Sequence, residues 1–402
     1  MTSPIGIFKN GEAMQQNPWN IPAAPVVVPA APPPPLPALS TYEVASGVAK
    51  WAIARGLLAT LPADVDAQYL AQIPPISLGN DAEQILRHRG IDSIAYNAVT
   101  QTIFVYTSRK VTQKELKSLP ANLQRSGLSY PHGAVDVVGK GHLTNQGAPY
   151  ALHSTSGGAH YACGSSISPG NDASAGTLGA LVRLADGLIY GLTNNHVSAL
   201  CSHVQIDTPI LAPGVMDVGP NGVAPFTLGF HTRALEMHHG SVGNIDIARN
   251  TDAAIFRIND VGNVTSMQGG AFDTPIQIAD PAEGMRVEKV GRTTRHTKGQ
   301  IVSKQLRPAG VGYQVQSHSF NSTIWFGSVF TIHGLGSEFS LSGDSGSLVV
   351  SVDEHGRPVA AVGLIFAGGP DSSAPGGVKS LMVPIRPILE ALGANLVGGH
   401  NV

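Results

Sequence analysis

The stretch Leu341-Ser342-Gly343-Asp344-Ser345-Gly346-Ser347-Leu348-Val349-Val350 places a serine between two glycines, after an acid and before an apolar run. This pattern predicts a nucleophile on a tight turn that leads into a buried strand. Gly343 and Gly346 allow backbone conformations that a Cβ would forbid. In such a turn the amides of Gly343 and Ser345 can converge on one point, as an oxyanion hole requires. Because a serine hydroxyl alone is a weak nucleophile, a histidine base and an orienting carboxylate are also expected.

The segment Gly-Asp-Ser-Gly-Ser-Leu-Val-Val, residues 343–350, resembles the nucleophile segment of the trypsin/chymotrypsin superfamily of serine peptidases. The elbow of α/β-hydrolases reads G-x-S-x-G instead, and Ser347 stands where that motif needs glycine. The resemblance covers about residues 150–397. It implies a mostly β fold of two six-stranded antiparallel β-barrels with a C-terminal helix. It also implies the order His, Asp, Ser along the chain.

The segment Leu192-Thr193-Asn194-Asn195-His196-Val197 resembles the position of the family's catalytic histidine, which follows a strand and begins a short helix. The chain has 15 histidines, so context rather than residue type selects His196 as the general base. Ala199-Leu200 is expected to continue the helix.

The orienting carboxylate should lie between the histidine and the serine, at the start of a buried strand. Asp252 heads the apolar run 253–258, 56 residues after His196 and 93 before Ser345. An acid at such a position needs a partner, and Asp252 resembles the family's orienting aspartate. Asp246 is the alternative, and Asp252 could also merely cap a turn.

The segment 289–299, Lys-Val-Gly-Arg-Thr-Thr-Arg-His-Thr-Lys-Gly, resembles the basic-x-Gly-x-Thr-Thr-Gly segment of the bacterial branch that includes α-lytic protease and the streptogrisins. It departs from that pattern at Arg295, where the branch usually has glycine. In that branch the basic residue neutralises the acid before the nucleophile. The resemblance therefore implies an ion pair between Lys289 and Asp344, and the alternative is an exposed basic turn.

The run 363–369 resembles the strand along which family members bind the substrate backbone. Substrate is expected to add as an antiparallel strand at Phe366, Ala367 and Gly368. Phe339 lies six residues before the nucleophile, where trypsin-like members carry the acid that selects Arg or Lys. Phe339 as pocket floor predicts an apolar or small residue before the scissile bond.

The first 150 residues have no counterpart in this resemblance. Residues 1–41 form a Pro/Ala-rich segment, which favours extended polyproline II as a disordered tether, with a proline-rich ligand as the alternative. Residues 42–150 are predicted to form a small α/β module, regulatory or similar to a pro-segment, that could dock a partner protein. Residues 151–402 are predicted to form the peptidase domain. The predicted elements of the module are helices over about 42–61, 82–89 and 112–119, and strands over 91–98, 102–107 and 134–138. Those of the peptidase domain are strands over 177–184, 188–193, 253–258, 347–352 and 358–366, and a helix over 386–392.

Composition excludes several classes of function. Charged residues make up 13% of the 402, with 47 Gly and 29 Pro, which favours strands and turns. A net charge of −2 provides no basic surface for nucleic acid. Cys163 and Cys201 cannot form a disulfide framework, although they could pair. The N-terminus lacks the pattern of a signal peptide and the proline-broken apolar stretch cannot span a membrane, so a cytoplasmic protein without membrane contact is expected.

These features together predict a serine endopeptidase that acts through an acyl-enzyme on protein or peptide substrates, without a cofactor. A peptidase fold kept as a binding scaffold is the competing interpretation. His231, His238 and His239 with Glu236 suggest a metal site, but the segment has no cysteine and no supporting pattern. A solvated loop is the favoured interpretation there, and no metal is expected.

Overall fold

The computed structural model describes residues 38–140, 143–146, 152–218 and 224–402. The predicted tether, residues 1–41, lies almost entirely outside these residues. Within the described ranges, no helix combines the length and apolarity needed to cross a bilayer.

The helices of the described ranges are short, and most begin or end where the sequence predicts. Capping boxes open the first and fourth, where Ser40 pairs with Glu43 and Thr112 with Glu115. The α-helices are α1 (Thr41–Ala54), α2 (Ala63–Tyr69), α3 (Asn80–Arg89), α4 (Gln113–Leu116), α5 (Asn195–Ser198) and α6 (Ile385–Leu392).

Strands dominate the rest of the described chain, which confirms the mostly β fold class. The N-terminal strands are β1 (Ile91–Asn97), β2 (Thr102–Thr107), β3 (Asn122–Leu123) and β4 (Ser126–Ser129). The central strands are β5 (Leu152–Thr155), β6 (Gly158–Cys163), β7 (Ser166–Pro169), β8 (Gly176–Thr177), β9 (Ala180–Arg183), β10 (Ile189–Thr193), β11 (Pro209–Ala212), β12 (Phe226–Ala234), β13 (Ala254–Ile258), β14 (Val264–Gln268) and β15 (Phe272–Asp273). The C-terminal strands are β16 (Arg286–Gly291), β17 (Arg295–Gln305), β18 (Ala309–Val315), β19 (Phe320–Phe326), β20 (Phe330–Gly334), β21 (Leu348–Val352), β22 (Pro358–Pro370), β23 (Val378–Pro384) and β24 (Asn395–Leu396).

Six of the C-terminal strands close into a barrel. They follow the order β16-β21-β22-β23-β20-β17, and β17 pairs back onto β16. Val287, Ile301, Ile332, Val349 and Val362 are almost completely buried in one cluster. Their burial on adjacent strands gives this barrel its core and fixes the register, since a slip of one residue would turn the apolar side chains outward.

The other large sheet remains open. Its eight strands run in the order β24-β9-β10-β13-β12-β11-β7-β8, and its two end strands do not pair with each other. Leu181, Ile210 and Phe256 are completely buried in its core. The predicted double-barrel architecture with a C-terminal helix is thus confirmed, but the first barrel is a half-barrel rather than a closed set of six strands.

The N-terminal strands extend the closed barrel. Ala95 of β1 lies opposite Gln305 of β17, so β1 to β4 continue the same sheet. Leu306 packs in one apolar cluster with α1 residues such as Val44 and Val48. The division of the chain at residues 42–150 and 151–402 stays a prediction.

The strand predicted over residues 134–138 is wrong. This segment forms a single parallel bridge, from Val138 to Tyr313. Its backbone hydrogen bonds are instead divided between two strands, one to Gly368 of β22 and two with Gly312 and Gln314 of β18. The two cysteines, Cys163 and Cys201, are both free and buried in different clusters.

Candidate active site

His196 is presented by the end of β10 and the single turn of α5. The Asn194 side chain donates to the backbone oxygen of Asp252 at 2.6 Å, which ties the strand end to the start of the run 253–258. The predicted extension of the helix through Ala199-Leu200 is wrong. Residues 200–202 all have positive φ, between 48° and 69°, and Asn195 holds this turn through two bonds with Ser202.

Asp252 and His196 form a directly bonded pair. Asp252 Oδ2 lies 2.5 Å from His196 Nδ1, and Asp252 Oδ1 accepts from the His196 backbone N–H at 3.0 Å. The aspartate is completely buried, while His196 is partly exposed to the cleft. This arrangement fixes the ring so that Nε2 is directed away from the carboxylate. Asp246, the alternative carboxylate, is exposed and caps a 3-10 turn by accepting from the Ala248 amide.

Ser345 lies on the predicted tight turn. Gly343 has φ +96° and Gly346 φ +94°, conformations that strongly favour glycine. Ser345 and His196 line the same cleft, which has a volume of about 590 Å³. Within the described residues Ser345 Oγ has no hydrogen-bond partner, so the hydroxyl is unbonded in the cleft that His196 also lines.

The amides of Gly343 and Ser345 are held with their N–H groups unpaired. Thr293 Oγ1 donates to Ser342 O at 2.7 Å, and Ser347 Oγ donates to Asp344 O at 2.6 Å. In a trans peptide the N–H points opposite to the C=O. Fixing these two carbonyls therefore directs the two N–H groups away from Thr293 and Ser347, and neither donates to another described residue.

Lys289 and Asp344 meet in the interior beneath this turn. Lys289 Nζ lies 3.4 Å from Asp344 Oδ2, and neither side chain is exposed. Asp344 also accepts from the Thr293 amide at 2.7 Å and from Thr294 Oγ1 at 2.7 Å. Burial lowers the pKa of Lys289, and the charge of Asp344 opposes that shift. The geometry matches the ion pair implied by the resemblance, and excludes the alternative of an exposed basic turn.

We expect Lys289→Met to lower the free energy of unfolding by about 3 kcal/mol, because it leaves the Asp344 charge buried without a cation. Chemical denaturation measures the effect. The matched control is Arg386→Met, since Arg386 pairs with Asp280 at the surface, where the two side chains are 42% and 72% exposed. A change within about 1 kcal/mol is expected for this control. Equal effects of the two substitutions would contradict a structural role for the buried pair.

Phe339 is not the floor of a substrate pocket. It is completely buried in the apolar cluster of the closed barrel and does not line the cleft. Ser340 and Leu341, the next two residues, line the cleft in its place, together with Val378. Counting six residues back from Ser345 therefore gave the wrong residue for the pocket floor, because Phe339 points into the barrel. The predicted preference for an apolar or small residue before the scissile bond rested on Phe339 and loses its basis.

The residues predicted to bind the substrate backbone lie in β22, and one of them already holds another segment of the chain. Phe366, Ala367 and Gly368 line the cleft, with the Phe366 ring packed on Phe326 at a centroid distance of 4.9 Å. Gly368 O accepts from the amide of Asp136 at 2.9 Å. Gly133 lies against Pro370 and Asp136 against Gly368, so this segment runs antiparallel to β22.

Sequence reasoning missed three contributors to the site. Thr293 and Ser347 orient the two peptides of the nucleophile turn. The pair Thr293-Thr294 in the sequence could have indicated the role of Thr293. Tyr313 Oη donates to Asp252 Oδ2 at 2.9 Å from a hairpin 61 residues further along the chain. Nothing in the local pattern around Tyr313 signals that contact.

The histidines weighed as metal ligands each have a different environment. His238 bonds to Glu236 at 2.9 Å, His239 packs against Phe320, and His231 is buried in β12. Among the described residues, no group of three His, Cys, Asp or Glu side chains could hold a metal ion.

Comparisons with known proteins find weak similarities only. No family model matches the chain. The chain is 26% identical over 296 residues to Protein NARROW LEAF 1 of Oryza sativa subsp. japonica. The matched stretch makes up 66% of this chain and 48% of that protein. The chain thus spans about half the length of this relative.

The structural neighbours include bacterial chymotrypsin-like serine proteases. Thermobifida fusca Protease A covers 59% of this chain and all of its own, at 19% identity and a TM-score of 0.38. Nocardiopsis Protease covers 58% of this chain and 97% of its own, at 16% identity and a TM-score of 0.37. Similarity this weak carries no argument about activity. The class is defined by the chain's own strand order: a chymotrypsin-like double barrel with one barrel open.

Proposed function

We propose that the protein is a serine endopeptidase whose triad is His196, Asp252 and Ser345. The observation that carries this proposal is that the His196–Asp252 pair opens onto the cleft that also holds Ser345 and its two unpaired amides. The contacts that orient this set lie far apart in sequence. A fold used only for binding has no need of them.

The chemistry follows from the positions of these groups. His196 Nε2 takes the proton of Ser345 Oγ as that oxygen attacks a peptide carbonyl. The Gly343 and Ser345 amides stabilise the oxyanion, and Asp252 holds the imidazole in the tautomer that keeps Nε2 unprotonated. His196 then donates its proton to the leaving amine. Water hydrolyses the acyl-enzyme by the same path.

The competing function is a peptidase fold that serves as a binding scaffold. A fluorophosphonate probe applied to the full chain separates the two, because only an activated serine reacts. Labelling located at Ser345 by peptide mass mapping supports the enzyme. The scaffold is favoured if Ser345 is labelled neither in wild type nor in a variant whose residues 134–138 are released from the cleft by substitution.

We further propose that residues 134–138 restrain the enzyme by occupying its substrate strand; we call them the covering segment. The Asp136 amide donates to Gly368 O, and the Val138 amide donates to Gly312 O at 2.8 Å. The Gln314 amide returns a bond to Val138 O at 2.8 Å. The segment therefore links β22 to β18 along the cleft that contains His196 and Ser345. A substrate strand would have to displace it from Gly368.

Releasing the covering segment should raise activity. Asp136→Pro removes the amide that donates to Gly368 O. We expect the rate of Ser345 labelling to rise by about fivefold, since the lost bond contributes on the order of 1 kcal/mol to the covered state. The measurement is the labelling time course of the full chain.

Val137→Pro is the matched control, because the Val137 amide donates to no described residue. The restraint would be contradicted if Asp136→Pro labels Ser345 no faster than wild type does and at the same rate as Val137→Pro. Removal of the whole N-terminal region is a poorer test. It would free the edge of β17 and expose Leu306, and so damage the barrel itself.

A further inference from the structure

Tyr313 lies directly behind the triad. It belongs to β18, in the hairpin of β18 and β19 that the chain inserts between the barrel strands β17 and β20. Its side chain is completely buried, and its ring lies 5.6 Å from the His196 ring and 6.2 Å from that of Phe326. The phenol is therefore held on both sides by packing, with its oxygen directed to Asp252.

The bond from Tyr313 meets the carboxylate oxygen that also serves the base. Asp252 Oδ2 accepts from Tyr313 Oη at 2.9 Å and is 2.5 Å from His196 Nδ1, while Oδ1 accepts the His196 backbone amide. A buried carboxylate needs such donors, because no water compensates its charge. The Tyr313 donor also fixes the rotation of the carboxylate about its Cβ–Cγ bond, and so the direction in which Oδ2 receives the imidazole.

We propose that Tyr313 is a positioning residue of the triad, which orients Asp252 and limits how much of its charge reaches His196. This proposal rests on the proposed peptidase function. Tyr313 does not touch the reacting atoms, so its effect passes entirely through Asp252.

The groups that face Asp252 leave Tyr313 as a constant donor. They are His196 from α5, Tyr313 from β18 and Cys201 from the turn that follows α5. Burial and the nearby Asp252 charge raise the pKa of Tyr313 well above its usual value, and burial likewise raises the pKa of the Cys201 thiol. Both therefore stay protonated at pH values where a peptidase works.

Tyr313→Phe in the full chain tests the role, since it keeps the ring and removes only the donor. We expect kcat to fall about tenfold with KM nearly unchanged, as loss of a hydrogen bond to a charged group predicts. The acidic limb of the kcat/KM profile should move to higher pH by about half a unit, because the uncompensated carboxylate holds the imidazolium more strongly.

Tyr190→Phe is the matched control. Tyr190 also donates to an aspartate, Asp186 at 2.7 Å, but at a surface hairpin turn outside the cleft. It should leave kcat and the pH profile unchanged. A Tyr313→Phe enzyme that equals this control in both respects would overturn the proposal, as would a fall in kcat with no movement of the acidic limb.

A second measurement does not depend on turnover. We expect the Nδ1 proton of His196 to give a far-downfield resonance that reports its bond to Asp252, and Tyr313→Phe to shift that resonance. An unchanged resonance would overturn the positioning role. If wild type neither labels nor turns over but this resonance shifts, the peptidase function fails while the contact through Asp252 stands.

Discussion

Ser345→Ala should reduce kcat by about 10⁴-fold or more, to the level that binding and the oxyanion amides alone provide. The substitution removes the hydroxyl that we propose attacks the substrate carbonyl, and leaves the turn intact because Gly343 and Gly346 set its backbone. Hydrolysis of a peptide substrate by equal concentrations of the two proteins measures the effect. Substrate binding should change little.

Ser154→Ala is the control for this experiment, because Ser154 is an exposed residue of β5 outside the cleft. Its activity should equal that of wild type. If Ser345→Ala hydrolyses the substrate as fast as Ser154→Ala, the nucleophile is assigned wrongly. Fluorophosphonate labelling of the same proteins then shows which serine reacts.

Asp252→Asn should lower kcat by about 10⁴-fold. Asp252 Oδ2 faces two donors, His196 Nδ1 and Tyr313 Oη, and Oδ1 faces a third, the His196 backbone amide. Asparagine has one acceptor oxygen, so its NH₂ group must point at a donor or force the ring into the tautomer with Nε2 protonated. In that tautomer His196 cannot accept the Ser345 proton.

Asp246→Asn separates this effect from a general loss of negative charge nearby. Asp246 is exposed and accepts only a turn amide, a bond that an asparagine oxygen can also accept. We expect activity within twofold of wild type, as roughly expected for a surface change. A large loss in Asp246→Asn together with a small one in Asp252→Asn would reverse the assignment of the carboxylate.

The two large effects also distinguish enzyme from scaffold. A scaffold would hydrolyse no substrate, so neither Ser345→Ala nor Asp252→Asn would change the rate of hydrolysis. The buried Lys289–Asp344 pair does not distinguish them, because its loss should destabilise the barrel in either case. Stability and turnover therefore need to be measured on the same variants.

Much of the site was predictable from the sequence, because its parts are local. The glycines of the nucleophile turn, the strand before His196 and the apolar run after Asp252 each impose their geometry within a few residues. The order of these segments, together with their resemblance to a known family, was enough to predict two β-barrels. The short helices and their capping boxes are local in the same sense.

Other features were decided by the tertiary structure alone. Tyr313 reaches Asp252 from a hairpin 61 residues away. Asp136, in the segment that follows β4, reaches Gly368 of β22. Phe339 turned into the barrel core although its position along the chain suggested the pocket. The eight-stranded sheet stayed open, with no pairing between its end strands β24 and β8. Turn geometry follows from the residues next to each other in the chain, whereas these contacts follow from which distant surfaces the packed core brings together.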